Sequence, residues 1–289
     1  MRVILAQAMG YCFGVKDALE LADELADPSQ VTIYGELVHN EEVQSRLAAR
    51  GYVAMSETGR LIPATPAVMV TAHGISERER KQLLAAGKEL IDTTCPLVRR
   101  VHRQAEKLRD EGYFLVVIGK SGHVEVRGIT GDLERYAVVE RPQDVRFFTA
   151  GKLAVICQTT TAPASVGPIL RAIEAAHPGQ EVRFVDTICK PTRDRQNAAQ
   201  SLLNRVQALV VVGGKNSNNT RALAQMARER GIPCWHVQTA ADLDPAWFEP
   251  FRGQAVGLTA GTSTPEEVIQ GVHGFLLDLA RQHQGRPAA

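Results

Sequence analysis

The 289-residue chain has no apolar run long enough to cross a bilayer. Its most continuous runs, at residues 115–118 and 209–212, have the length of strands. Neither sign of charge is in excess: 33 basic and 32 acidic residues leave a net charge of +1. Nucleic acid and anionic membranes are therefore not expected as partners. The opening Arg2-Val3-Ile4-Leu5-Ala6 reads as a strand and lacks the apolar region and cleavage site of a secretory leader. The expected compartment is the cytoplasm. Cysteine is scarce and odd in number, at five, which argues against a disulfide scaffold. No Cys-x-x-Cys pair occurs, which removes the zinc ribbon and the ferredoxin signature. The G-x-x-x-x-G-K-[ST] and G-x-G-x-x-G patterns are also missing, so ATP and NAD are not implied. No Pro/Ser-rich linker divides the chain, so any domains are tightly joined.

What is present is an alternation of short apolar runs with longer amphipathic patterns. Eleven segments read as strands, among them 31–34, 67–71, 114–119, 153–157, 208–212 and 255–259. Helical patterns such as 15–26, 96–110, 193–204, 220–230 and 265–281 lie between or after them. This predicts an α/β fold of parallel sheets covered by helices. The unbroken Val/Ile/Leu runs predict strands buried on both faces.

Three of the cysteines each lie shortly behind a strand-like run: Cys12, Cys95 and Cys189, spaced by 83 and 94 residues. The last two share a context, Asp92-Thr93-Thr94-Cys95-Pro96 and Asp186-Thr187-Ile188-Cys189-Lys190-Pro191. Repeating units of about 90 residues are large enough for small α/β domains. The expected division is a first lobe at 14–95, a second at 96–190 and a third at 191–281. Strand 1–13 joins the third, and 282–289 is a frayed tail. Three thiolates brought to one point make a metal or cluster site. Three unrelated buried thiols is the competing reading. Zinc with one open position and an iron–sulfur cluster both stay open at this level. Cys157 and Cys234 sit inside apolar runs and read as buried hydrophobes.

The residues following the strands are small or polar. They include Ala72-His73-Gly74, Lys120-Ser121-Gly122-His123-Val124-Glu125, Gln158-Thr159-Thr160-Thr161, the stretch from Gly213 to Thr220, and Ala260-Gly261-Thr262-Ser263. In open parallel sheets ligands bind beyond the carboxyl ends of the strands. Hydroxyls, backbone N–H groups and imidazoles there suit an anion such as a diphosphate. His39, His73 and His123 are the candidate imidazoles, against a plain capping role for each. Glu125 is the one carboxylate within such a turn. It is either a proton donor to a leaving oxygen or a helix-start carboxylate favoured by the macrodipole.

Taken together these segments resemble the 4-hydroxy-3-methylbut-2-enyl diphosphate reductase, or LytB, family. The resemblance rests on nine stretches in order: Tyr11-Cys12-Phe13-Gly14-Val15, Leu37-Val38-His39-Asn40, Thr71-Ala72-His73-Gly74-Ile75-Ser76, Asp92-Thr93-Thr94-Cys95-Pro96-Leu97-Val98, Gly122-His123-Val124-Glu125-Val126, Gln158-Thr159-Thr160, Thr187-Ile188-Cys189, Gly214-Lys215-Asn216-Ser217-Asn218-Asn219-Thr220 and Thr259-Ala260-Gly261-Thr262-Ser263. It implies three α/β lobes with pseudo-threefold symmetry around a central [4Fe–4S] cluster. Cys12, Cys95 and Cys189 would hold three irons and leave the fourth open. The implied reaction removes the allylic hydroxyl of the diphosphate with two electrons and two protons, giving isopentenyl and dimethylallyl diphosphate. This is the last step of the methylerythritol phosphate route. His39, His73, His123, Ser217, Asn219 and Ser263 match diphosphate-binding positions, and Asn218 stands between two of them at a substrate-binding position where the family pattern has serine. Glu125 matches the proton donor, with Thr159 in its relay. An external donor such as ferredoxin or flavodoxin is implied. Departures from the family pattern are Phe13, Val124, Arg127, Asn218 and Lys190-Pro191. The competing expectations are a divergent paralogue, a three-cysteine zinc hydrolase or lyase, and a protein that only binds an anionic metabolite.

Overall fold

The computed structural model describes residues 1–285. The chain opens on β1 (Arg2–Leu5), followed by helix α1 (Phe13–Glu24). A first lobe is built on β2 (Val31–Ile33), β3 (Val53–Ala54), β4 (Ala67–Val70) and β5 (Glu89–Asp92), with α2 (Glu41–Ala49) and α3 (Glu77–Ala85) between its strands. Helix α4 (Pro96–Asp110) leads to a second lobe of β6 (Phe114–Ile118), α5 (Val124–Thr130), β7 (Tyr136–Val139), β8 (Lys152–Cys157), α6 (Pro163–Ala176) and β9 (Glu181–Phe184). Helix α7 (Lys190–Leu203) opens the rest: β10 (Ala208–Val212), α8 (Asn218–Glu229), β11 (Cys234–Val237), β12 (Ala255–Ala260) and α9 (Glu266–Gly285).

The strands form three four-stranded sheets, ordered β3-β2-β4-β5, β7-β6-β8-β9 and β11-β10-β12-β1, and every pairing is parallel. One order therefore occurs three times: second, first, third, fourth. In the last sheet the fourth place is taken by the N-terminal strand, with Val3 in register with Val256. The α/β class and the three sheets agree with the sequence reading.

The chain divides into two compact units. One comprises Met1–Cys12, His39–Ser45 and the chain from Lys190 onward; the other comprises Phe13–Val38 and Arg46–Cys189. The second of these holds two sheets. Their central strands are buried on both faces, as the unbroken apolar runs require. Leu115 and Val117 of β6 enter one core cluster with Val101, Leu108 and Ile129, while Val116 and Ile118 enter another with Ile169 and Ile173. In the other unit β10 does the same, with Val210 and Val212 against Phe248 and Leu276, and Leu209 and Val211 against Leu202 and Leu223. Each such buried side chain contributes about 1.5–3 kcal/mol.

Three local features differ from the sequence reading. The residues around Glu125 form a helix, α5, of seven residues, and not a turn. The two-residue strand β3 is additional. Helix α9 runs through Gly285, four residues into the stretch read as a frayed tail, and 286–289 lie outside the described residues.

Candidate active site

In a parallel sheet all strands end on the same edge, and the candidate residues follow those ends. The second lobe carries the densest constellation. After β6, Gly122 adopts φ +74°, a left-handed turn that favours glycine, and His123 caps α5. The His123 Nδ1 accepts a hydrogen bond from the Glu125 N–H at 3.1 Å. In the neutral ring the proton is then on Nε2, which is the donor. Glu125 is 1% exposed. Its Oε1 accepts from the Thr159 N–H at 2.7 Å and its Oε2 from the Thr159 hydroxyl at 3.0 Å. The two turns are also joined through Gln158, whose Oε1 accepts from the Lys120 N–H at 3.0 Å and whose amide donates to Thr160 at 3.2 Å. The Thr159 carbonyl in turn accepts from the Cys189 N–H at 3.0 Å. Carboxyl, hydroxyl and cysteine thus belong to one bonded chain.

The first lobe of the same unit repeats this plan. The Cys95 N–H donates to the Ala72 carbonyl at 3.1 Å, next to His73. The His73 and His123 rings meet edge-on, with centroids 5.6 Å apart. The repeated Asp-Thr-x-Cys motif now has a physical cause. Asp92 Oδ1 accepts from the Thr94 N–H, and Asp186 Oδ1 from the Ile188 N–H, closing two Asx turns at 3.0 and 3.1 Å. The Thr93 and Thr187 hydroxyls donate to the carbonyls of Val70 and Cys157, each at 2.6 Å, the last residues of β4 and β8. Each motif therefore ties its cysteine to the neighbouring strand. Burial pushes the Asp92 carboxyl up, but hydrogen bonds from Thr94 and Arg80 outweigh it and hold the group below its ordinary value. A Cβ on Gly14 would stand 2.5 Å from the Cys95 sulfur, so only glycine leaves that thiol its room.

In the other unit Cys12 donates its N–H to the Thr262 carbonyl at 3.1 Å. Ala72, Thr159 and Thr262 are each two residues beyond the third strand of their sheet. The three cysteines are therefore equivalent in topology. The Cys12 loop has no Asp-Thr motif; Arg195 of α7 serves instead. Its guanidinium, 7% exposed as a residue, donates to the Gly10 carbonyl at 2.7 and 3.1 Å and to the Tyr11 carbonyl at 3.0 Å. The sequence reading missed Arg195, because its partners lie at a sequence separation of 184 and 185 residues. It also missed Gly14 as a space-maker.

Ser217 caps α8, accepting from the Thr220 N–H at 3.2 Å. Asn218 and Asn219 form the first helical turn, Asn218 partly exposed and Asn219 1% exposed. Neither amide atom of Asn219 has a hydrogen-bond partner among the described residues. Leaving such groups buried and unpaired costs about 1–3 kcal/mol each, so the position suits an incoming polar ligand. The Ser263 hydroxyl donates to the His39 carbonyl at 2.9 Å. Lys215 is exposed, with its backbone N–H on Glu41 Oε1 at 3.2 Å. Cys157 is fully buried; Cys234 is only partly so, and burial raises its thiol to about 11. Phe13 is 45% exposed.

The donor set fits a sulfur-ligated iron centre: three thiol side chains on equivalent turns, one with space kept at its sulfur by Gly14, and sulfur is a donor iron–sulfur clusters require. No helix among the described residues is long and apolar enough to cross a membrane.

Comparison with known proteins agrees with this geometry. The family model described as LytB protein matches residues 3–277. A 4-hydroxy-3-methylbut-2-enyl diphosphate reductase of Anaeromyxobacter sp. (strain Fw109-5) is 38% identical over 284 residues, covering 97% of this chain and 99% of that protein. One of the same name from Geobacter sulfurreducens is 33% identical over 282 residues, covering 95% and 98%. The structure of the E-1-hydroxy-2-methyl-but-2-enyl-4-diphosphate reductase from Plasmodium falciparum superposes with a TM-score of 0.86 at 28% identity, covering 95% of this chain and 87% of that one. A second solved structure, an (E)-4-hydroxy-3-methyl-but-2-enyl diphosphate reductase, gives a TM-score of 0.66 at 34% identity, covering 96% and 100%. With a full-length family match and relatives of this similarity, the chain belongs to the LytB family.

Proposed function

We propose that this chain reductively removes the allylic hydroxyl of 4-hydroxy-3-methylbut-2-enyl diphosphate, the terminal step of the methylerythritol phosphate route. The products are isopentenyl and dimethylallyl diphosphate. The observation that carries the reading is the bonded chain Glu125–Thr159–Cys189, a buried carboxyl tied to the turn of a candidate ligand cysteine. Family membership and the names of the relatives support it, and nothing in the comparisons supports the zinc hydrolase, the binding protein or the divergent paralogue.

A [4Fe–4S] cluster held by Cys12, Cys95 and Cys189, with one iron open, would supply electrons and a Lewis acid for the substrate oxygen. The chain's own residues do the rest. The diphosphate is received by the imidazoles of His39, His73 and His123, the hydroxyls of Ser217 and Ser263, and the amides of Asn218 and Asn219. Asn219 Nδ2 has no other acceptor among the described residues, so a phosphate oxygen would satisfy it. The Glu125 carboxyl gives a proton to the leaving oxygen, because hydroxide is a poor leaving group and water a good one. Thr159 holds both carboxyl oxygens, fixing the direction of that transfer. The balance is one C–O bond broken, one C–H bond formed, two protons and two electrons consumed, and one water released. The electrons come from outside the chain, from a one-electron donor of the ferredoxin or flavodoxin kind, because no flavin or nicotinamide pattern is present. We assign three lobes, 14–95, 96–190 and 191–281 joined by strand 1–13, on the repeated strand order, and a cytoplasmic location.

Anaerobic purification followed by iron and acid-labile sulfide analysis, then turnover of the allylic diphosphate with a strong one-electron reductant, tests the proposal. Four irons and four sulfides per chain with turnover are expected of such a cluster. A colourless protein with stoichiometric zinc would overturn it. Cys95→Ser is expected to lose cluster iron; full iron content and activity in that variant would remove Cys95 from the ligand set.

A further inference from the structure

One cavity lies apart from these residues, in the unit that holds the first two sheets. It has a volume of about 460 Å³ and lies between the loop after β3 and helix α5, with Tyr34, Arg60, Glu79, Arg127 and Tyr136 on its walls. Arg60 is an unusual residue to find there. Its side chain is only 6% exposed, yet Nε and Nη2 have no hydrogen-bond partner among the described residues. Its guanidinium lies over the Tyr34 ring, 4.7 Å from the centroid. A Cβ on Gly35 would come within 2.8 Å of Nη2, so that glycine opens the space the guanidinium fills.

Glu57 and Glu79 also line the cavity, and each carboxylate is shared between Arg60 and other groups. Glu79 reaches Arg60 Nη1 only at 3.7 Å, and its Oε2 accepts from the Ser76 N–H and hydroxyl at 3.2 and 3.0 Å as the cap of α3. Glu57 turns its carboxylate to within 4.8 Å of a His73 ring nitrogen. The second cation, Arg127, donates through Nη2 to the Glu57 carbonyl. Burial depresses the Arg60 guanidinium below its ordinary value; Glu79 and Glu57 pull it back up, and the like charge of Arg127 depresses it further. Two guanidiniums facing one cavity, one of them buried with unused N–H groups, are built to receive negative charge.

We infer that this cavity is a second anion site, in which Arg60 and Arg127 clamp a compact oxyanion such as phosphate or a small phosphate ester. Arg60 stands on the loop between β3 and β4, and Arg127 stands on α5, two residues from Glu125. An anion held by both ties the first lobe to the helix that carries the proposed proton donor. Occupancy of the site would therefore regulate the geometry of that helix.

The test uses the full chain with its cluster and inorganic phosphate as the probe in calorimetric titrations. The unaltered chain is expected to show two classes of phosphate site. Arg60→Gln loses the one proposed here, with affinity reduced at least about tenfold, and keeps the other. Asn219→Ala shows the complementary pattern, which separates a failure here from a failure of the substrate-site assignment. Arg60→Lys is expected between the two, because an ammonium keeps the charge but not the fork. If Arg60→Gln does not fold, Arg127→Gln serves the same comparison. An Arg60→Gln or Arg127→Gln isotherm that superimposes on the unaltered one overturns the proposal, as does a single class of site abolished by Asn219→Ala alone.

Discussion

The second and third sheets present the same scaffold with different residues at one point. Glu125 and Asn219 each lie seven residues beyond the first strand of their sheet, in the opening turn of the helix that follows. Both are 1% exposed. Two residues beyond the third strand of each sheet stand Thr159 and Thr262, whose carbonyls accept from Cys189 and Cys12 in the same way. The difference is in how the buried group is satisfied. Glu125 is held by two donors of Thr159, whereas both amide atoms of Asn219 are without partners among the described residues. A group held within the protein keeps its direction whether or not substrate is present, as a proton donor must. A group left open gains its partner only when a ligand arrives, as a binding residue should. On the roles proposed for Glu125 and Asn219, one repeated framework would supply chemistry in one lobe and recognition in another.

Removing the chemistry from the second lobe is expected to have the largest effect. Glu125→Gln keeps the volume and, through its one amide oxygen, the bond from the Thr159 N–H, while its NH2 turns to the Thr159 hydroxyl as a donor; it has no acidic proton to give. Its kcat should fall by roughly 10²–10⁴, with iron content and diphosphate affinity retained. Steady-state turnover beside iron analysis reads both; an unchanged kcat would remove Glu125 from proton delivery. The converse change is smaller. Asn219→Ala should raise KM about 10- to 100-fold with little change in kcat, because one hydrogen bond to a charged group is worth about 1.5–3 kcal/mol. Asn219→Asp should bind still more weakly, since a carboxylate then faces the diphosphate. If Asn219→Asp binds as well as the parent, the third lobe does not hold the anion.

What could be read in advance follows from how local each interaction is. The Asp-Thr-x-Cys repeat was visible because Asp92 and Asp186 close turns with the residue two places on, and each threonine hydroxyl reaches the end of the neighbouring strand. The both-face burial of β6 and β10 was visible as unbroken apolar runs. Helix α5 was not, because seven residues with β-branched Val124, Val126 and Ile129 and an internal Gly128 carry no helical period. The N-terminal strand was expected to join the third lobe, and β1 pairs there with β12. That the Asn219 amide has no partner among the described residues follows from packing, and no local pattern announces it.

A finer cut into the second lobe leaves the proposed proton donor in place and loosens its holder. Thr159→Val removes the hydroxyl bond to Glu125 Oε2 and keeps the backbone N–H bond to Oε1. The loss of one buried hydrogen bond costs about 1–2 kcal/mol, so kcat should fall about 5- to 30-fold. Thr159→Ser should recover most of it. A valine variant with parental turnover would mean that the backbone N–H alone orients the carboxyl.

The smallest effect on turnover is expected where the two lobes differ in how the cysteine turn is tied. Thr187 fastens the Cys189 turn to Cys157 at the end of the adjacent strand, its hydroxyl donating to the carbonyl at 2.6 Å and accepting from the N–H at 2.7 Å. Arg195 fastens the Cys12 loop from a distant helix, through three bonds to Gly10 and Tyr11 and a fourth from Nη1 to the Pro191 carbonyl at 3.1 Å. Lysine keeps the charge at position 195 but offers one donor atom and cannot span both loop carbonyls. Losing two such bonds weakens the loop by about 1–3 kcal/mol without removing any candidate ligand. Arg195→Lys should therefore keep kcat within about threefold of the parent while releasing iron several-fold faster to a chelator under anaerobic conditions. Thr187→Val should do the same for the second lobe, through the loss of both bonds to Cys157. Equal rates of iron release in the parent and in Arg195→Lys would show that the Cys12 turn holds its shape without the clamp, and that the long-range contact matters only to folding.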